Sequence, residues 1–328
     1  MEEGKPAYYG NKTVEEIRSD LVSAIVTGAD FMTQIIIHEL GEALSKQNIF
    51  MRMGMRVAGK RIKEEMAPYI GTVFFLSFIG KEVNYENVRK VLLGLNVEPR
   101  NRFMEFVADI DLRNNIVAYA PAILFLKLNN LEINTLNIVN VVKAMGYSPD
   151  PSTAKHVFEL YKEYTGGGIK SGLGDAETEN ELRKFTGNAA KLEAAYMVWE
   201  LDRTLEREDI EKYLKRGLIP YLVAGGVLIY AGEEISVIGV ERFLEYNANL
   251  VRALGIAVDP GMLDFMKSMN YQYTSGFHCI PAIYLLLSLG MEVNVESIKK
   301  LLDSVGLDMS IELVGFAHTF YMDHKDRM

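Results

Sequence analysis

A pattern repeated four times constrains the fold of this chain more than any other feature. Each copy has a proline opening an apolar run, a residue that tolerates a left-handed backbone, and a helix N-cap four positions later. The copies contain Pro68, Gly80 and Asn84; Pro121, Asn130 and Asn134; Pro220, Gly232 and Ser236; and Pro281, Gly290 and Asn294. Because strand-like alternation is not sustained anywhere, the pattern predicts helical hairpins.

Apolar residues on both sides of each cap support this alignment. The residue before each cap and the residue four positions after it can pack together as a hydrophobic staple. These pairs are Val83 and Val88, Ile133 and Ile138, Ile235 and Val240, and Val293 and Ile298. The second helix then ends at Asn96, Gly146 or Gly306, whereas in the third copy the stop is Gly255, seven positions later than the pattern predicts. Seven residues are about two helical turns, so we expect a longer helix there.

The distance from proline to cap alternates long, short, long, short, which indicates a duplicated pair. We therefore predict an all-α protein of two homologous helical halves, with four helical-hairpin repeats. The N-terminal half covers 1–164, with helices in 13–66 and repeats from 67 and 120. The C-terminal half covers 189–328, with repeats from 219 and 280. Between them, 165–188 has the composition of a flexible Gly-rich linker followed by an acidic segment.

Composition narrows the function classes. The chain is 49% hydrophobic and 24% charged, as is typical of a soluble globular protein. Its single cysteine, Cys279, excludes an intramolecular disulfide and a cysteine-only metal site. The formal net charge of −9 argues against a general nucleic-acid coat. The N-terminus lacks the apolar core of a signal peptide and the longest apolar runs are short, so we expect a cytoplasmic protein without a membrane span.

No group of residues has the spacing of a known catalytic, cofactor or metal site, so we expect none of the three. His38 and Glu42 share a helix face like two ligands of the H-E-x-x-H zinc motif, but the sequence supplies no third ligand. The glycines at 166–172 lack the spacing of a phosphate-binding loop. His278 and Cys279 are adjacent but have no third group to orient a base. We interpret His318 and His324 as packing and surface residues.

Four basic residues at helical spacing form the best candidate contact surface. They fall at i, i+4, i+8 and i+11, and so on one helix face. They are Arg52, Arg56, Lys60 and Lys63. Such a stripe fits RNA phosphate or an acidic partner, but an ordinary solvated helix face is the favoured interpretation because four cations are few for an RNA footprint.

The sequence Gly-Lys-Glu-Val-Asn-x-Glu-Asn-Val-x-x-Val-Leu at 80–92, repeated in related form at 284–306, resembles the N-terminal dimerisation domain of archaeal and eukaryotic ribosomal stalk proteins. The resemblance covers four blocks of roughly forty residues. It implies helical self-pairing, docking of a partner helix, an archaeal source and a translation-related role. Stalk proteins have one such domain and an acidic tail, whereas this sequence ends at 321–328 without one, so factor recruitment is not expected. A second stretch, 53–62, resembles a helix of trafficking TRAPP-type subunits.

These observations predict a non-catalytic helical interaction or scaffold protein that docks a partner helix or self-associates. The alternative is an enzyme or small-molecule-binding protein with a pocket between the two halves. A continuous exposed apolar surface would favour the first interpretation, and convergent polar residues in a deep pocket would favour the second.

Overall fold

The computed structural model describes residues 13–46, 59–109, 113–129, 131–170, 176–204, 213, 219–230, 237–246, 259–262, 264 and 272–325. Over these ranges the chain consists of helices and their connections, without a strand, which confirms the predicted all-α class. The helices, in order, are α1 (Val14–Lys46), α2 (Gly59–Phe78), α3 (Tyr85–Gly94), α4 (Asn101–Asp109), a 3-10 helix (Arg113–Ala118), α5 (Tyr119–Leu128), α6 (Thr135–Ala144), α7 (Pro151–Thr165), α8 (Ala176–Thr204), α9 (Ile219–Tyr230), α10 (Val237–Tyr246), α11 (Gln272–Ser288), α12 (Val295–Ser304) and α13 (Ile311–His324).

Helix starts and stops follow from local chemistry. α1 begins with a capping box, since the Thr13 and Glu16 side chains each accept the other's backbone N–H, at 3.2 and 2.7 Å. The stop residues Gly80, Gly146 and Gly306 have φ of 67°, 90° and 77°, a left-handed backbone that glycine adopts without a Cβ clash. Asn130, Gly232, Gly255 and the longer helix expected in the third copy lie outside the described residues.

The hairpins pack against one another in two reciprocal pairs. α2 and α3 form a hairpin that contacts the hairpin of α11 and α12, with α2 on α11 and α3 on α12. In the same way, α5 and α6 contact α9 and α10, with α5 on α9 and α6 on α10. In the described part of the chain, α1 and α8 form the most extensive helix pair, and α1 also contacts α5 whereas α8 contacts α11.

Close packing holds the two reciprocal pairs together. A Cβ on Gly71 of α2 would lie 2.7 Å from Leu285 Cδ1 of α11, so glycine permits the helices to approach. In the other pair, Phe125 of α5 meets Phe243 of α10 edge to face, with ring centroids 4.9 Å apart. A single cluster of buried apolar residues contains members of both pairs, so the hairpins share one core.

A proline that opens each apolar run is expected in the first turn of a helix, and this prediction is wrong for two of the four copies. Pro121 and Pro220 lie in the first turns of α5 and α9, but Pro68 and Pro281 lie inside α2 and α11. An interior proline removes one i to i−4 hydrogen bond. These helices nevertheless continue, with Tyr69 and Ile280 buried beside the prolines. Apolar burial therefore overrides the local preference.

The described parts of the segment predicted as a flexible linker, 165–170 and 176–188, are structured, which corrects the expectation for those residues. α8 begins at Ala176, so 176–188 is helix. Glutamates in the first turn favour a helix N-terminus, and Arg183 pairs with Glu179 one turn away at 2.7 Å. The glycine-rich stretch also packs, because Ile169 is buried and donates its N–H to Gln34 Oε1 at 3.1 Å. The division into two halves stays a prediction.

Within the described residues, one segment is long and apolar enough to cross a membrane. It is Arg18–Ala43 of α1, and 59% of its most apolar window is buried inside the protein. Ile35, Ile36 and Ile37 there are fully buried. A core helix can have the same length and composition. Polar residues interrupt the segment, so it does not stand out in the sequence as a continuous apolar run.

Candidate functional site

The residues expected to cap helices lie where the sequence places them. Asn84, Asn134 and Asn294 are N-caps of α3, α6 and α12, and each side-chain oxygen accepts a backbone N–H at 2.9 Å. At Asn294 the Ser297 hydroxyl accepts the N–H of Asn294 at 3.1 Å, which completes a capping box. Ser236 lies outside the described residues. These side chains are engaged with backbone and therefore build helices.

A tyrosine hydroxyl joins each of three hairpins to the start of the next helix, a feature that was not predicted from the sequence. Each tyrosine stands fifteen positions before its cap, and its hydroxyl accepts a backbone N–H at the start of the following helix. The bonds join Tyr69 to Arg100 at 2.7 Å, Tyr119 to Asp150 at 3.0 Å and Tyr221 to Asp259 at 2.7 Å. The fourth copy has Cys279 at that position. Aligning the copies beyond their caps would have found the tyrosines.

The basic stripe lies mostly beyond what the structure describes. Arg52 and Arg56 lie outside the described residues, and of Lys60 and Lys63 only the backbone is described, within α2. A contact with RNA or an acidic partner therefore stays a prediction.

His278 and Cys279 do not have the properties of a base and a nucleophile. Burial raises the pKa of the Cys279 thiol to about 12, so the reactive thiolate is scarce at neutral pH. Burial, aided by the nearby Lys81 charge, lowers the pKa of His278 to about 4, so that imidazole is a weak base at neutral pH. The pair fits a packed core.

The two C-terminal histidines bond to backbone. His318 Nε2 lies 3.2 Å from the Val293 carbonyl oxygen, and His324 Nδ1 lies 2.8 Å from that of Phe320. The His324 ring also stacks on Phe320, with centroids 4.1 Å apart. Both histidines therefore contribute packing contacts.

A small cavity lies among α2, α8 and α11. Its volume is about 20 Å³, and its lining is mostly apolar, including Phe74, Phe185 and Tyr284, with the buried carboxyl residue Glu193 at the wall. That volume holds one water molecule, whereas small-molecule pockets measure about 300–1,000 Å³. This cavity gives little support to the alternative of a ligand pocket between the halves.

Ionisable side chains converge between α1 and α7. Ligating atoms of His38, Glu39 and His156 all lie within 4.8 Å of one another. His156 Nε2 is 3.5 Å from Glu39 Oε1, and His38 Nδ1 is 3.2 Å from the Lys170 carbonyl oxygen. The sequence suggested Glu42 beside His38, whereas the structure adds Glu39 and His156. No local spacing signals His156, because only the tertiary fold brings α7 to α1.

Large apolar side chains are exposed on several helices, and in the described part of the chain α13 has more of them than any other helix. Ile311 is 61% exposed and Met322 is 41% exposed. The others are Tyr85, Leu93, Leu136, Leu287 and Phe316. An exposed apolar helix side is the feature expected of a site that docks another helix.

Comparison of the chain with protein-family models, with curated proteins and with solved structures found no match in any of the three. The resemblance to ribosomal stalk domains therefore stays a prediction.

Proposed function

We propose that the chain is a non-catalytic helical interaction protein that docks a helix of a protein partner. One observation carries the proposal: the hairpins pack in two reciprocal pairs inside a single chain. Tandem copies would make within one chain the pairing that stalk domains make between chains. We extend the proposal to the four-repeat, duplicated-pair origin of the fold. An archaeal, cytoplasmic and translation-related setting rests on the resemblance alone.

Because the inner faces of the hairpins are occupied, the proposed docking surface is the outer side of α13. Ile311 and Met322 are eleven positions apart, about three helical turns, and so lie on the same side of the helix. Gly315 lies between them, and a Cβ there would meet no atom within 4 Å, so the space beside it is open. We define Ile311, Gly315 and Met322 as the α13 stripe.

The α13 stripe suits an amphipathic helix better than a small ligand. Helix recognition uses apolar anchors spaced at i, i+3, i+4 and i+7 against an apolar surface. The missing side chain at Gly315 would allow the backbones to approach closely. Glu312 and Asp323 on the neighbouring side are exposed acids, which would complement basic residues flanking the partner's apolar face.

Affinity purification from the native host, at low and moderate salt, tests the proposal when it includes a stripe variant. We expect wild type to retain a protein partner and the Ile311→Glu/Met322→Glu double variant to lose it. The matched control, Leu136→Glu, introduces the same charge at an exposed apolar residue of a different helix, α6. Mass spectrometry identifies the partner, and cross-linking must place it on α13.

Two outcomes would contradict this function. Recovery of the same partner with wild type and with the double variant would remove α13 as the docking surface. Recovery of the chain alone, carrying a small molecule, would favour the alternative of a ligand-binding protein.

A further inference from the structure

We propose that His38, Glu39 and His156 form a binding site for a divalent transition-metal ion that accepts imidazole and carboxylate ligands, with Zn²⁺ as the probe. The site lies between α1 and α7, on different helices from the α13 stripe, and so goes beyond the docking function. We call these three side chains the α1–α7 cluster.

The separations in the α1–α7 cluster suit a metal ion. Zinc bonds to nitrogen and oxygen measure about 2.0–2.2 Å, so neighbouring ligand atoms of a tetrahedral site lie roughly 3.4 Å apart. His156 Nε2 and Glu39 Oε1 are 3.5 Å apart, which already matches. The third ligand atom lies within 4.8 Å of both, and small side-chain rotations can close that gap.

The backbone fixes the His38 ring in a form that can bind a metal. The Lys170 carbonyl oxygen can only accept a hydrogen bond, so at 3.2 Å it requires the proton on His38 Nδ1. The neutral ring then has its lone pair on Nε2. Metal-binding histidines commonly donate their other N–H to a backbone carbonyl in this way. An isolated ion pair of His156 with Glu39 would explain the contact between those two side chains. It would not explain why a second imidazole, that of His38, also lies beside them in a fixed orientation.

A chain of contacts positions the Lys170 carbonyl. After α7, Gly167 and Gly168 have φ of 138° and 111°, which L side chains rarely adopt, and this backbone turns the chain back toward α1. The next residue, Ile169, donates its N–H to Gln34 Oε1, one turn before His38. The Gln34 amide in turn donates to Asp30 Oδ2 at 3.0 Å. The glycine-rich stretch thus supports the cluster.

The α1–α7 cluster is accessible to an ion from solvent. The side chain of His156 is 47% exposed and that of Glu39 is 15% exposed. Two imidazoles and one carboxylate are ligands that Zn²⁺ and neighbouring transition ions accept, whereas Mg²⁺ and Ca²⁺ prefer sites made of oxygen alone. Three protein ligands leave a coordination position for water. A bound ion would join α7 and the 168–170 stretch to α1.

Calorimetric titration of the full chain, stripped with chelator and free of any polyhistidine tag, tests the site. We expect one Zn²⁺ per chain, with no comparable binding of Mg²⁺. His156→Ala should weaken Zn²⁺ binding at least about tenfold, because it removes a ligand. The matched control is His324→Gln, which removes an imidazole of α13 and should bind Zn²⁺ as wild type does.

Further variants make the result decisive. If His156→Ala does not fold, Glu39→Gln removes the carboxylate charge while keeping its shape, and it should also lose affinity. Gln34→Ala leaves all three ligands and should weaken binding less than ligand removal does. Absence of stoichiometric Zn²⁺ binding to wild type, or equal affinity in the ligand variants and in His324→Gln, would overturn the site.

Discussion

Two three-helix units of the molecule, α5–α6–α7 and α11–α12–α13, have the same design but different surfaces. Their caps Asn134 and Asn294 lie 160 positions apart, as do the third-helix caps Asp150 and Ser310. In both units the first helix packs on the second and on the third, and the third packs on a long helix, α7 on α1 and α13 on α8. The two units therefore have their helix caps at the same spacing and pack their helices in the same way.

The units differ in the side chains of the third helix that face solvent or the long helix. His156 of α7 meets His38 and Glu39, whereas the corresponding residue of α13 is Phe316, which is 46% exposed. Likewise, Lys162 of α7 corresponds to the exposed Met322. Caps and buried positions maintain the unit, while the solvent-facing positions are free to differ. One unit carries the proposed metal site and the other the proposed docking surface.

The largest effect expected from this comparison concerns Phe320 and its counterpart Leu160. Phe320 is buried and its ring lies 5.2 Å from Tyr196 and 5.3 Å from Trp199. Phe320→Ala should lower the free energy of unfolding by about 3–5 kcal/mol, since it removes a buried ring. Leu160→Ala should cost less, because a smaller side chain is lost and no ring contacts go with it. Urea unfolding followed by circular dichroism measures the free energy of unfolding of both variants. Equal losses would contradict the prediction and mean that the packing of α13 on α8 and of α7 on α1 contributes equally.

A smaller effect concerns the tyrosine that only one of the two units has. In Tyr119→Phe the Asp150 N–H loses its acceptor, which should cost roughly 1–2 kcal/mol. Amide exchange at Asp150 should accelerate, while exchange at Ser310 serves as an internal control because Cys279 replaces the tyrosine there. Unchanged exchange at Asp150 would show that the hydroxyl does not fasten α7.

The smallest effect concerns the different chemistry of the two third-helix caps. Hydrogen bonds from Ser152 and Thr153 lower the pKa of the Asp150 carboxyl from 3.8 to about 2, whereas Ser310 does not titrate. Because the folded-state pKa is depressed, this stabilisation is present above the unfolded value and is lost as pH falls through about 2. Wild type should therefore lose stability relative to Asp150→Ser as pH falls from about 4 to about 2. Parallel curves would contradict the coupling.

The sequence allows prediction of features that depend on a few neighbouring residues. The capping box at Thr13, the Asn caps and the left-handed stops are local, since each requires particular side chains within one turn. The interior position of Pro68 was not predictable in this way, because tertiary burial outweighs a missing hydrogen bond. The start of α8 was also not predicted, because its acidic composition was interpreted as part of a linker. The helix packs on α1 and α11.

The candidate sites were less predictable than the fold. His156 joins His38 only through the packing of α7 on α1, a contact between residues 118 positions apart. The exposure of Ile311 and Met322 likewise depends on which side of α13 faces the core. The tyrosines could have been found from the sequence, because they recur fifteen positions before three of the four caps.

The tyrosine bonds have a consequence for how such a chain can change length. They join residues 31 positions apart in two copies but 38 apart in the third, and the third bond is as short as the first. The tyrosine bond therefore forms equally well with seven additional residues between its partners. An engineer who wished to graft a foreign peptide between the two bonded residues could use the tyrosine hydrogen bond to test whether the scaffold still closes.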